Sequence, residues 1–108
     1  MPIYYFMFEA IPNPDNPERN ELAGAFVNCW VKGDDVDVAL KEARKYINNQ
    51  GWNVINIEEQ DIANRDWYEN DVDKAEYLEC FEQAVNVGIA AIINSWPNEE
   101  NDEQTNPE

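Results

Sequence analysis

The sequence predicts an α+β domain with the element order ββαβα, built as a two-layer sandwich. We expect three or four mixed strands with both helices on one face of the sheet. The prediction rests on segments with the two-residue alternation of strands, two segments with helical spacing, and proline or glycine breaks between them. The 108 residues suffice for one hydrophobic core. Residues 1–97 should form the domain, and residues 98–108 a disordered acidic tail.

The first two strands are predicted at Ile3–Glu9 and Leu22–Lys32. The first is aromatic and apolar on both faces, which is typical of a central strand or of a strand covered by a partner subunit. The segment Ile11–Glu21 between them contains three prolines and must be a loop. We therefore expect an antiparallel hairpin with a long connection.

A helix is predicted next, at Asp34–Asn49, because its apolar residues recur at intervals of three and four. Asp34 and Asp35 can cap its first turn, and Gly51 fits a left-handed stop after its last turn. A short strand at Asn53–Ile57 follows. We expect it to run parallel to the second strand through a right-handed crossover.

The last predicted element is a long helix at Asp71–Trp96, ended by Pro97. Its second half, Ala84–Trp96, has no charged residue, so we expect it to be buried within the domain, with a helix–helix dimer contact as the alternative. The segment Glu59–Asn70 is either a loop or a short edge strand.

Composition excludes several classes of function. The chain has 7 basic and 23 acidic residues, a net charge of −16, so we expect no direct binding to nucleic acid or to an anionic membrane. It has no histidine, which removes imidazole-based catalysis and the usual zinc ligands, and we expect no cofactor. Cys29 and Cys80 are predicted to be buried thiols, with a disulfide as the alternative. The N-terminus resembles neither a signal peptide nor a membrane span, which predicts a cytoplasmic protein.

The densest acidic region is Glu58–Glu82, which contains ten acidic residues and only two basic residues, Arg65 and Lys74. We interpret it as a surface for a basic partner, with a solvated face that maintains solubility as the alternative. The candidate partner-binding residues are Asp66, Trp67, Glu69, Asp73, Glu76, Glu79 and Glu82. We assign no catalytic residue and no metal ligand, because the oxygen-rich segment Asp66–Asp73 lacks the glycine and terminal glutamate of an EF-hand loop.

One stretch resembles a known family. The run Cys29–Asp35, followed by Ala39, Leu40 and Ala43, is similar to the hairpin end and helix of HicB-like antitoxin domains. The resemblance implies that the protein binds and neutralises a basic toxin. The chain departs from that family in its proline loop, in the strand after Gly51, and in its long last helix, where the family often carries a DNA-binding module.

These observations predict a non-catalytic, cytosolic binding module whose acidic and aromatic surface engages a protein partner, such as a basic toxin or a nucleic-acid-binding protein. Two alternatives stay open. One is an enzyme that uses carboxylates or a divalent cation at Asp66–Glu82. The other is a structural homodimer that buries the aromatic first strand and the uncharged segment between protomers.

Overall fold

The structure, a computed structural model, describes residues 1–98. The α+β class is confirmed, with one antiparallel sheet of four strands and two main helices. The strands are β1 (Ile3–Pro12), β2 (Leu22–Lys32), β3 (Trp52–Ile62) and β4 (Ile89–Pro97). The helices are α1 (Val36–Asn49), the short α2 (Asp66–Glu69) and α3 (Ala75–Val87), with a 3₁₀ turn at Val72–Lys74 before α3. The predicted tail lies, from residue 99 onward, outside the described residues.

The sheet order is β3-β1-β2-β4, and every neighbouring pair is antiparallel. The predicted hairpin of β1 and β2 is confirmed and occupies the centre of the sheet. β2 and β3 run in the same direction, as predicted, but they are not neighbours, since β1 lies between them and is antiparallel to both. The prediction of mixed strands is therefore wrong.

The local signals around α1 are confirmed. The carboxylate of Asp35 accepts a hydrogen bond of 2.9 Å from the amide of Val38, which caps the helix. Gly51 follows the helix with a φ of +98°, as a left-handed stop requires. Trp52 then packs into the same buried cluster as Ile47. The chain thus turns from α1 into β3 within three residues, Gln50 to Trp52.

The two main helices lie on opposite faces of the sheet, which corrects the prediction of a two-layer sandwich with both helices on one face. In β2, Cys29 and Val31 belong to the buried cluster that contains α1, whereas Trp30 between them belongs to the cluster that contains Phe81 of α3. Successive side chains of a strand point to opposite faces. The central strands are apolar on both sides, so both sides need a covering helix.

The predicted helix at Asp71–Trp96 is also wrong. The helical segment ends at Gly88, whose φ of +105° is left-handed, and the chain continues as strand β4 along β2. The element order is thus ββαβαβ with the short α2 inserted, not ββαβα. The uncharged segment is only partly buried: Ala84 and Ala90 have exposures of 0% and 1%, whereas Val85 and Val87 are 40% and 71% exposed. The prediction that the whole segment is buried within the domain is therefore wrong.

The segment Glu59–Asn70, for which the sequence allowed a loop or a short edge strand, contains the end of a strand and a short helix. Its first residues extend β3 to Ile62 at the edge of the sheet, and Asp66–Glu69 forms α2. The amide of Ala63 donates to the carbonyl of Ile3 over 2.7 Å, which ties the chain to β1 as it leaves the sheet. α2 lies on the same side of the sheet as α3, where Tyr68 joins the cluster of Phe81.

Candidate binding site

The predicted partner-binding residues come together on the α3 side of the sheet. Asp66, Trp67 and Glu69 lie on α2, Asp73 lies in the 3₁₀ turn, and Glu76, Glu79 and Glu82 lie on α3. All are solvent-exposed except Glu82, which is half-buried. Part of this surface also borders β3, whose Glu59 and Asp61 are exposed. The acidic segment is therefore carried by four different elements, the edge strand β3 and the three helical elements on one side of the sheet.

Arg65 divides the acidic residues into two groups. Its Nε donates to Glu69 Oε2 over 2.8 Å, and its Nη2 donates to Glu82. Hydrogen bonds to Glu82 and to Glu69 raise the pKa of Arg65. These two carboxylates are thus partly neutralised and link α2 to α3. Within residues 1–98, Asp66, Asp73, Glu76 and Glu79 make no ion pair, so their charges remain available to a partner.

A cluster of aromatic rings lies beneath the acidic surface. Trp30 of β2 is fully buried and lies at the bottom of this cluster. Its ring centroid is 5.3 Å from that of Tyr5, 6.3 Å from that of Tyr68 and 5.6 Å from that of Tyr77. Trp67 is 39% exposed and caps the cluster against Tyr5 and Tyr68. The side chains come from β1, β2, α2 and α3, so only the folded chain brings them together.

Two hydrogen bonds hold the rings of this cluster. Trp30 Nε1 donates to the hydroxyl of Tyr68 over 3.1 Å, and the Tyr5 hydroxyl donates to Asn28 Oδ1 over 2.7 Å. Burial raises the pKa of the Tyr68 hydroxyl, and burial together with the negative charge of Glu59 raises the pKa of Tyr5. Both phenols are therefore neutral at physiological pH.

The cluster opens to solvent in a cleft of about 210 Å³. Its lining consists of Tyr5, Glu59, Trp67, Tyr68, Lys74 and Tyr77. Aromatic ring faces carry negative electrostatic potential and also offer apolar area. The cleft can thus hold an apolar group or a cation, and we call it the aromatic cleft.

Sequence reasoning found Trp67 but missed the other residues of this cleft. Tyr68 and Tyr77 lie nine positions apart, on two elements whose packing the sequence does not reveal. Tyr5 and Glu59 meet because β3 pairs with β1, and that pairing was not predicted. One signal was available: Tyr5 and Trp30 are directly opposite in the β1–β2 hairpin, so a predicted register would have placed them in contact.

A larger cleft, of about 580 Å³, lies between the β1–β2 loop and the end of α1. Its polar groups hold the loop in place. Asn16 donates to the carbonyl of Gly51 over 2.9 Å and accepts from the amide of Glu18 over 2.8 Å, and the amide of Asn13 also donates to Gly51 over 3.0 Å. These bonds give the cleft a structural role.

Both cysteines are free thiols, with Cys29 buried and Cys80 half-buried. Burial raises the pKa of Cys29 to about 12, and burial together with Glu76 and Glu79 raises that of Cys80. Within residues 1–98, no three cysteine or carboxylate side chains lie close enough to hold a metal ion. In that same part of the chain, no helix is long and apolar enough to cross a membrane.

Comparison of the chain with protein-family models, with curated proteins and with solved structures found no match in any of the three.

Proposed function

We propose that this protein is a non-catalytic binding module that engages a basic protein partner through the surface of α2, the 3₁₀ turn and α3. One observation carries the proposal: unpaired negative charge is concentrated on one side of the sheet. The α2–α3 side carries the unpaired carboxylates of Asp66, Asp73, Glu76 and Glu79. On the opposite face, the three basic residues of α1 slightly outnumber its two acidic residues, Asp37 and Glu42.

The acidic surface is denser than solubility requires. Glu76 and Glu79 are neighbours on one helix face, where like charges repel and cost stability. A surface of one sign accelerates association with a partner of the other sign and rejects partners of its own sign. A cationic partner would remove the repulsion within α3 when it binds. The partner that fits is a basic protein, such as a toxin or a nucleic-acid-binding protein.

The aromatic cleft supplies an apolar anchor site within the charged surface. Stable protein interfaces combine a desolvated aromatic anchor with a polar rim, and isolated charges at the rim contribute mainly to the association rate. Trp67 and the tyrosines around it supply the anchor, and the carboxylates of α2 and α3 supply the rim. The arrangement is that of a recognition surface.

The proposal is tested with a fluorescent peptide of alternating lysine and alanine, whose binding is followed by anisotropy. The triple variant Asp73→Asn, Glu76→Gln, Glu79→Gln removes three negative charges from the proposed surface. The matched control, Glu18→Gln, Asp34→Asn, Glu42→Gln, removes three exposed negative charges elsewhere. We expect the first variant to weaken binding about tenfold and the control to weaken it about twofold or less.

Equal weakening in the two variants would contradict the proposal, because the peptide would then sense only net charge. Failure of the unaltered protein to bind the peptide at low salt would also contradict it. Binding should weaken steeply between about 0.05 M and 0.5 M salt, as the Debye length falls below the separation of exposed charges.

A further inference from the structure

We propose that the aromatic cleft receives the guanidinium group of one arginine side chain of the basic partner. This inference rests on the proposed function, since it names the chemical group that anchors the partner beside α2 and α3. Three features carry it: the angles between the rings, a carboxylate in the lining, and rings held in place before any ligand arrives.

The rings of the cleft meet at steep angles and form walls, not a stack. Trp67 stands at 85° to Tyr5 and at 81° to Tyr68, and Tyr68 stands at 76° to Tyr77. The corresponding ring centroids are 6.5, 5.9 and 6.1 Å apart. A cation is attracted to a ring face within about 6 Å of its centroid. Because Tyr5, Trp67, Tyr68 and Tyr77 all line the cleft, a cation inside it lies beside several rings.

Glu59 makes the cleft selective for positive charge. It projects from β3 into the lining, and its negative charge is felt at the hydroxyl of Tyr5. A neutral apolar side chain would contact the rings but gain nothing from this carboxylate. A guanidinium group gains both interactions, and it leaves water and stacks on a ring face more readily than the strongly hydrated ammonium of lysine. The cleft volume of about 210 Å³ accommodates the end of a long side chain, since a water takes about 30 Å³ in the liquid.

The walls are positioned before a ligand arrives. Tyr68 is 5% exposed, and its hydroxyl accepts the hydrogen bond of the buried Trp30. The hydroxyl of Tyr5 is bonded to Asn28 on the neighbouring strand. Little side-chain entropy is left to lose in these rings on binding, which favours affinity.

Lys74 is the cleft's own positive charge and opposes the incoming cation. It lines the cleft at the end of the 3₁₀ turn, and its side chain is exposed, so its ammonium can stay in water. Removing this charge should strengthen binding of a cation. Removing the charge of Glu59 should instead weaken binding of a cation. A purely structural role of the cleft does not predict opposite changes in affinity at these two positions.

The test uses the lysine-alanine peptide with one central arginine, and the same peptide with citrulline, a neutral residue of nearly the same shape, in its place. We expect the arginine peptide to bind about tenfold more tightly than the citrulline peptide, and Trp67→Ala to abolish that difference. Glu59→Gln should weaken binding of the arginine peptide about threefold, and Lys74→Gln should strengthen it about threefold.

Each variant has a matched control. Phe26→Ala removes a ring of similar exposure, 37%, that lies outside the cleft. Glu58→Gln and Lys41→Gln change the net charge by the same amount at exposed positions that do not line the cleft. These controls should leave the preference for arginine unchanged. Trp67→Phe, which keeps a ring, should retain most of that preference.

The two proposals fail in different ways. If both peptides bind equally, or if Trp67→Ala keeps the preference for arginine, the cleft does not hold the cation and this inference is wrong. The acidic surface would then still account for binding, provided that the triple neutralisation weakens it. If neither peptide binds the unaltered protein, the proposed function itself is wrong.

Discussion

Trp30 links the core of the protein to the candidate site. Its side chain has an exposure of 0%, it contacts three tyrosines of the aromatic cleft, and its indole N–H has an acceptor in the hydroxyl of Tyr68. A buried donor without a partner loses its bond to water and gains nothing in return. The hydroxyl of Tyr68 therefore contributes to stability as well as to the shape of the cleft.

Tyr68→Phe removes that acceptor and leaves the indole N–H of Trp30 buried and unpaired. We expect the free energy of unfolding to fall by about 1–3 kcal/mol. Urea unfolding followed by tryptophan fluorescence measures the change. A fall of less than about 0.5 kcal/mol would mean that water or a shifted neighbour replaces the bond.

The stability of the fold should decrease at alkaline pH. Burial raises the pKa of Cys29 to about 12 and raises the pKa values of Tyr5, Tyr68 and Cys80. The folded state thus keeps protons that the unfolded chain releases from about pH 9 upward, so the stabilisation is complete below that pH and is lost as the pH rises towards 12.

We expect the free energy of unfolding to fall by about 2–3 kcal/mol between pH 8.5 and pH 10.5, measured by urea unfolding at a series of pH values. Cys29→Ala should flatten this dependence, because it removes the most strongly buried thiol. A free energy that stays constant across this range would contradict the assignment of buried neutral thiols and phenols.

At the residue scale, local signals could be predicted from the sequence and long-range contacts could not. The cap at Asp35 and the left-handed stop at Gly51 depend on neighbours within a few positions, and both were predicted. The bond from Trp30 to Tyr68 joins residues 38 positions apart. It depends on the packing of α2 against β2, for which neither segment carries a signal.

At the scale of the elements, Gly88 separates α3 from β4. The run around it has apolar residues at helical spacing, and it also fits a strand with both faces buried, since such a strand shows no clear alternation. The pattern alone does not choose between the two. Gly88 sets the boundary between helix and strand, because its φ of +105° ends the helix and the chain then runs along β2.

Gly88→Ala tests this boundary. An added Cβ at Gly88 meets no atom within 4 Å, so the cost arises from the backbone conformation alone, and we expect a loss of about 1 kcal/mol in the free energy of unfolding. The control is Gly33→Ala, where φ lies outside the left-handed region and the nearest atom is Ala39 Cβ at 3.4 Å. Equal costs at the two positions would contradict the role given to Gly88.

Arg65 connects α2 and α3 through carboxylates that would otherwise face solvent. Arg65→Gln should release Glu69 and Glu82 and raise the affinity for the lysine-alanine peptide about two- to fivefold. The urea midpoint should change little, because the ion pairs are exposed. The control, Arg44→Gln on α1, changes the net charge equally and should leave the affinity nearly unchanged. A loss of affinity in Arg65→Gln would contradict the division of carboxylates into paired and available groups.

At the scale of the whole molecule, the class and the charge could be read from the sequence, and the arrangement of layers could not. The spacing of apolar residues predicted an α+β domain, and the distribution of charge predicted an acidic surface within Glu58–Glu82. It did not indicate that α1 and α3 cover opposite faces, because the double-sided apolar character of β1 and β2 is compatible with a partner subunit as well as with a second helix. That layering places the unpaired carboxylates of α2 and α3 on one side of the sheet and α1, whose three basic and two acidic residues nearly balance, on the other.

The central claim is that a basic partner docks on the side of the sheet that carries α2 and α3. The most direct test is a titration of isotope-labelled protein with the arginine-containing peptide, followed by amide and indole chemical shifts. We predict that the shifts concentrate at residues 59 and 66–82, with the indole of Trp67 among the largest. Shifts that concentrate on α1 and the β1–β2 loop, or that spread evenly over the molecule, would contradict it.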